Sequence, residues 1–345
     1  MRDMVSLDKK AAIPQRPAFA RWLGTTNEVT RGFLATGHIP DLVNLAGGLP
    51  APEIYPAEEL AELARGAVAK HPAETLGYGP VEGLPELRDA LASRFSTGEL
   101  RLRRENVLVT SSGMQGLDLI GKALIDEGAL VAAQFPTYLG ALDAWRPRRP
   151  IYRHMALERA GFDPTAALAG AQFAYTVPNF SNPTGRLVGL EMREALVAAA
   201  AMIEALTLAK QGSDMCTSGV TQRIALAAIE IGLIERLQPR IVALYRERRD
   251  ALCKALAEHL GRWFEWELPV GGMFVWAIAR DAGLDTDRLL TAALAAGVCV
   301  APSSVFDSSG RNRRAIRLNF TLNPPERLAE GVRRLAGVLQ SQSSG

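Results

Sequence analysis

Three stretches of this 345-residue chain end in residue types that suit ligand chemistry. VLVTSSGMQGLDLIGKAL (107–124) reads as strand, then Ser-Ser-Gly, then helix. The unpaired N–H groups at a helix start, with the positive end of its dipole, make a seat for a phosphate. Serine and glycine are also ordinary capping residues, so this stretch alone decides nothing. QFPTYLGAL (134–142) sets the aromatic Tyr138 just past a second strand, and NFSNPTG (179–185) sets the Asn182 amide past a third. Tyr138 could equally pack a core, and Asn-Pro is a common turn. What the three share is position. In an open parallel sheet, ligands bind beyond the carboxyl ends of the strands. An anion seat, a flat ring and an amide on one rim are harder to explain apart than together.

Those residues need a sheet to carry them. VLVTSS (107–112), ALVAAQFP (129–136) and FAYTVPNF (173–180) are apolar throughout and separated by the helical stretches MQGLDLIGKALID and LGALDAW. Such strands imply a mostly parallel, wound α/β sheet covered on both faces. Upstream, AEELAELARGAVAK follows Pro56 and opens with Glu58 and Glu59, the signature of a helix start. LGYGPVEGLPELRDALASRF reads as a glycine-punctuated loop entering a second helix. GFDPTAALAG and the basic cluster WRPRRPIYRH (145–154) read as loops. After residue 240 comes a long arginine-rich helix, IVALYRERRDALCKALAEHL, then GGMFVWAIA, GVCVAPSSVF and AIRLNF, strand-like pieces among helices. The expected division is an N-terminal arm over 1–45, a large domain over 46–238 and a smaller α+β domain over 239–345.

Composition narrows the partners. With 39 basic against 37 acidic residues, the net charge of +2 gives no reason to expect nucleic acid or an anionic membrane. The residues before position 20 lack a basic stripe and are too few for a helix-turn-helix head. Cys216, Cys253 and Cys299 are far apart and show no metal spacing. The first residues lack the apolar core of a secretory signal, and no apolar run approaches the ~20 residues that cross a bilayer. By elimination the expected compartment is the cytoplasm.

GGLPAPEIYP, YGPVEGLPELR, TSSGMQGLDLIGKAL, FPTYLGAL, SNPTGRL, AKQGSD, GGMFVWAIA and IRLNF occur in the order found in fold-type I pyridoxal-phosphate aminotransferases. The chain resembles the class I/II branch that includes the 2-aminoadipate and kynurenine enzymes, over about residues 20–340. That resemblance implies pyridoxal 5′-phosphate as cofactor, and an amino acid and a 2-oxo acid as substrates. It also implies roles by position. Ser112, Gly113 and Met114 would meet the phosphate, Tyr138 would stack on the pyridine ring, and Asn182 would bond its phenolic oxygen. Arg317 would grip the substrate α-carboxylate, a task suited to a planar guanidinium fork. Gly47 and Gly48 would leave space beside the substrate, and Arg31 aligns loosely with a residue reading a distal carboxylate. Tyr78 would reach the phosphate of a neighbouring subunit, so a homodimer is expected.

One part of the pattern is missing. In this family the turn at SNPTG and its helix lead to an aspartate for the pyridinium nitrogen and then to the lysine that holds the cofactor. Here EMREALVAAA runs directly into AMIEALTLAKQGSD, which resembles sequence beyond that lysine. About 55 residues are missing near the junction of Ala200 and Ala201, the length of two strand–helix units with their loops. The six lysines of the chain are Lys9, Lys10, Lys70, Lys122, Lys210 and Lys254, and none has the strand-end position required. Loss of the acid–base group alone costs roughly 10²–10⁴-fold in rate. The expectation is therefore an aminotransferase by family, active only if residues absent here are supplied, with a noncatalytic ligand-binding or interaction relative as the alternative. A sheet stripped of central strands is also expected to expose apolar edges or to close ranks.

Overall fold

The computed structural model describes residues 39–159, 162–196 and 216–343, with scattered positions at 20, 22, 23, 29, 32, 36 and 213. Arg31, Lys9, Lys10, Lys210 and the Ala200–Ala201 junction lie outside the described residues.

In the N-terminal half, β2 (Leu130–Gln134) is flanked by two parallel strands, β3 (Ile151–Met155) and β4 (Phe173–Tyr175). Successive β2 residues face opposite ways, as the pleat demands. Val131 packs with Ile125, Ala141 and Trp145 from helices α4 (Gly113–Leu124) and α5 (Leu139–Trp145) and the turn between strand and helix. Ala132 packs with Met155, Leu157, Ala167 and Val188 on the other face. Both faces are covered, as an all-apolar strand requires. Outside this sheet lie α1 (Ala57–Lys70), α2 (Pro72–Leu76), α3 (Pro85–Phe95) and α8 (Gly219–Glu230), while α6 (Pro164–Leu168) and α7 (Leu190–Leu196) flank it. The α1 bounds match the helix read from the sequence.

The C-terminal half is a four-stranded antiparallel sheet in the order β5 (Phe264–Trp266), β6 (Phe274–Ala279), β9 (Ala315–Asn319), β8 (Ala301–Pro302). It shares one core with α9 (Leu233–His259), α10 (Thr286–Ala295) and α11 (Pro325–Ser343), including Leu252, Leu256, Phe264, Leu289, Phe306 and Leu335. β1 (Val43–Asn44) pairs in parallel with β7 (Val298–Cys299), tying the end of the N-terminal arm to this half.

Three local expectations are corrected. VLVTSS is extended but belongs to no strand. Strands exist by pairing, and the backbone here is met by other partners: Val109 N–H donates to Glu82 O at 2.9 Å, and Thr217 Oγ1 donates to Val109 O at 3.1 Å. The basic cluster 145–154 is not a solvated loop. Trp145 is fully buried and donates through Nε1 to Leu117 O at 2.7 Å, and Ile151–Met155 is an edge strand. Charge on an edge strand is a common way to block further pairing, and Arg153 caps the carbonyl of Ala169 at 2.6 Å. GFDPTAALAG contains the short α6, because Asp163 accepts the N–H groups of Thr165 (2.9 Å) and Ala166 (3.3 Å), and Pro164 fits the first turn.

Candidate active site

The seat forms where α4 begins. Ser112 Oγ accepts the Gln115 N–H at 3.3 Å, and the Gln115 side chain folds back to accept Ser111 N–H at 2.7 Å. The N–H groups of Gly113 and Met114 precede the first intrahelical bond and sit in an exposed rim. β2 ends next to it. Gln134 Oε1 accepts both Thr176 Oγ1 and Val177 N–H at 2.9 Å, fastening the carboxyl ends of β2 and β4 together. Tyr138 starts α5, and its hydroxyl lies 3.9 Å from Met114 Sδ. A side chain at Gly140 would strike the Tyr138 ring, with Cβ only 2.5 Å from Cε1, so glycine is what lets the ring lie there.

The other wall comes from the C-terminal half. Arg317 on β9 is 3% exposed and lies between two aromatic faces, 4.1 Å from the Phe274 ring and 4.7 Å from that of Phe306. Its Nη1 donates to Asn182 Oδ1 at 2.7 Å and its Nη2 to Ala46 O at 2.5 Å. Its Nε is buried without a partner among the described residues. Burial pushes the guanidinium down to about 9, and nearby Tyr138 opposes that shift. At neutral pH it remains a cation, a buried fork with one unanswered N–H among the described residues. The Ala46 carbonyl is aimed by a tight turn in which Asn44 Oδ1 accepts the N–H groups of Ala46 and Gly47, both at 3.0 Å. Gly48 runs against Phe274, where a Cβ would come within 2.9 Å of the ring, whereas Gly47 has ordinary room.

Met114 thus meets Tyr138, while Asn182, Gly47 and Gly48 gather about Arg317 directly or through Ala46 and Phe274. Tyr78 is 87% exposed. The sequence reading missed Phe274, Phe306 and the Ala46 carbonyl. A signal for Phe274 existed: GGMFVWAIA has strand periodicity, and once β6 pairs with β9 through Trp276 and Arg317, Phe274 is the diagonal neighbour of Arg317.

The aminotransferase class I and II family model matches residues 40–208. Aromatic-amino-acid aminotransferase 1 of Thermococcus litoralis is 30% identical over 389 residues, covering 93% of each chain. The chain belongs to the class I and II aminotransferases. These enzymes, of pyridoxal-phosphate fold type I, transfer an amino group between an amino acid and a 2-oxo acid. The 2-aminoadipate transaminase of Thermus thermophilus is 29% identical over 390 residues, covering 94% of this chain and 96% of its own. The crystal structure of the α-aminoadipate aminotransferase LysN from Thermus thermophilus, complexed with N-(5′-phosphopyridoxyl)-L-leucine, superposes with a TM-score of 0.79 at 27% identity, covering 94% of this chain and all of that one.

Both sequence alignments are longer than this chain, so the relatives carry internal residues with no counterpart here. The described lysines stand away from the cleft. Lys122 pairs with Asp118 at 2.7 Å and donates to Ser213 Oγ at 2.7 Å, nine residues and about 14 Å along α4 from the seat. Lys70 and Lys254 are exposed on other helices. No group of His, Cys, Asp and Glu suited to a metal ion occurs among the described residues. No described helix is long and apolar enough to cross a membrane.

Proposed function

We propose that this aminotransferase binds pyridoxal 5′-phosphate and its amino or 2-oxo acid substrates in the cleft between Tyr138, Asn182 and Arg317, without a covalent link to lysine. The observation that carries the reading is a pair of junctions, Tyr138 against Met114 at the start of α4 and Arg317 on Asn182, with Tyr138 near enough to Arg317 to act on its charge. The residues present fit the cofactor's parts: a helix start for the phosphate, a phenol ring for the pyridine and an amide for the phenolic oxygen. When bound, the cofactor supplies the carbonyl that accepts the amino group and the ring that absorbs electrons. Ser112, Gly113 and Met114 hold the phosphate, and Tyr138 covers the ring and keeps water from one face. Asn182 orients the ring by its edge. Arg317 holds the substrate carboxylate, its charge sharpened by the surrounding rings and the dry wall.

The relatives named above support acidic or aromatic amino acids as substrates. Arg31 is proposed as a reader of a distal carboxylate, and Tyr78 as a contact to the phosphate of a second copy in a homodimer with shared sites. The domain division drawn from the sequence and a cytoplasmic location, which free cysteines suit, belong to the same proposal.

Titration with pyridoxal 5′-phosphate, followed by absorbance, tests the reading. Tyr138→Ala and Asn182→Ala should each weaken binding about tenfold or more. Binding unaffected by either substitution sinks the proposed site.

A further inference from the structure

We propose that Phe180 is a positioning residue for this cleft: its ring, seated on Gly271 and Gly272 of the opposite half, sets where Asn182 meets Arg317. The inference rests on the cofactor reading above for the roles of Asn182 and Arg317.

Phe180 adopts the left-handed region, with φ of 50°, which non-glycine residues enter only when their surroundings impose it. Its ring is also 40% exposed, so core burial does not account for the strain. What it touches is specific. A Cβ on Gly271 would fall into the Phe180 ring, and a Cβ on Gly272 (φ 78°) would lie 2.9 Å from Phe180 Cβ. The two glycines make a socket that any side chain would fill. They lead directly into β6, whose Phe274 lies against Arg317.

The turn after Phe180 is stiff. Ser181 N–H donates to Arg186 O at 2.8 Å and Gly185 N–H to Ser181 O at 2.5 Å. Gly185, at φ 72°, approaches the Phe274 carbonyl so closely that a Cβ would stand 3.0 Å from it. Arg186 ends the turn and grips both halves, with Nη1 on Glu158 at 3.0 Å and Nε on Glu267 at 2.9 Å. Asn182 therefore hangs between two anchors, the Phe180 ring and the Arg186 fork, both fixed to the half that carries Arg317. A pyridine-facing amide and a carboxylate-gripping guanidinium from different halves are thereby held as one unit.

A positioning residue acts through the residue it positions, and a double-mutant cycle reads that directly. Pyridoxamine 5′-phosphate, which needs no lysine, is the probe, with affinity measured by fluorescence titration. Phe180→Ala should weaken it about tenfold, as should Gly271→Ala, which drives a methyl into the ring. In the Asn182→Ala background, Phe180→Ala should add nothing, because its target is gone. The exposed Glu267→Gln change should cost about threefold without disturbing any core. Equal losses from Phe180→Ala with and without Asn182, or no loss at all, overturn the proposal. If the parent protein does not bind the probe, the cofactor reading fails by itself. The joint is then read without ligand, by amide exchange of residues 181–186: acceleration of at least fivefold in Phe180→Ala supports it, and unchanged rates overturn it.

Discussion

Arg317 illustrates why a guanidinium was the residue to read in AIRLNF. It donates to Asn182 and Ala46 through two Nη atoms while its Cζ sits over the Phe274 and Phe306 rings, which a compact ammonium cannot do. Arg317→Lys should keep the fold by circular dichroism yet weaken 2-oxoglutarate binding, measured by calorimetry, about 10- to 100-fold. This is the loss of about 1.5–3 kcal/mol for a charge-assisted bond. Retained affinity would show that the carboxylate is held elsewhere. Asp307 poses a different case at the same scale. Burial pushes its carboxyl up, but the N–H groups of Ser309, Asn312 and Arg311 and the Ser309 hydroxyl outweigh this and leave it below its ordinary value. A depressed carboxyl stabilises the fold fully above its unfolded value of about 3.9 and loses that contribution as pH falls through the folded value. Asp307→Asn should therefore cost about 1–3 kcal/mol at pH 7 by urea unfolding, with the gap to the parent narrowing below pH 4. A gap that stays constant into acid would refute the assignment.

The elements divide by whether their partners are local. β2 has a strand on both sides, whereas Val107–Thr110 has the sequence of a strand and no strand beside it. In hydrogen exchange the amides of Leu130–Gln134 should be the slowest of this half, and those of Leu108 and Thr110 should exchange like a loop; equal protection would mean a pairing strand is present after all. The same distinction sets what the sequence reveals. Helix Ala57–Lys70 is legible because its proline, acidic first turn and apolar spacing are all internal to it. Tyr138 and Asn182 stand out as candidates because each follows a strand end, while the setting of Asn182 depends on Gly271 and Gly272 in the opposite half. VLVTSS fails because apolar β-branched residues report suitability for a sheet, while pairing depends on chain elsewhere. Ile151–Met155 hid behind arginines that serve as an edge guard. Phe306 was hidden further still, since its place over Arg317 depends on a bend after β8 that no periodicity marks.

At the scale of the molecule, two halves that are far apart in sequence meet at Arg317 and Asn182, in a chain that lacks counterparts for internal residues of its relatives. β1 reaches across to β7, Arg186 bridges the halves, and Arg317 bonds across the seam, so the wall around Arg317 is held by contacts among residues present here. The covalent anchor that the family resemblance implies is proposed to belong to the stretch without counterpart here, and it has no such backup. Lys122 is engaged along α4, and Lys70 and Lys254 lie on exposed helix surfaces. A lysine must bring its nitrogen to the cofactor carbonyl, within about 3–3.5 Å, to bond it. Borohydride reduction of the protein saturated with pyridoxal 5′-phosphate should therefore leave no single lysine stoichiometrically labelled by peptide mass spectrometry, while the unreduced cofactor washes out on dialysis. Free surface lysines should show only scattered, substoichiometric label. Full labelling of one residue, Lys210 above all, would mean that the shortened chain has recruited a new anchor and that the noncovalent reading is wrong.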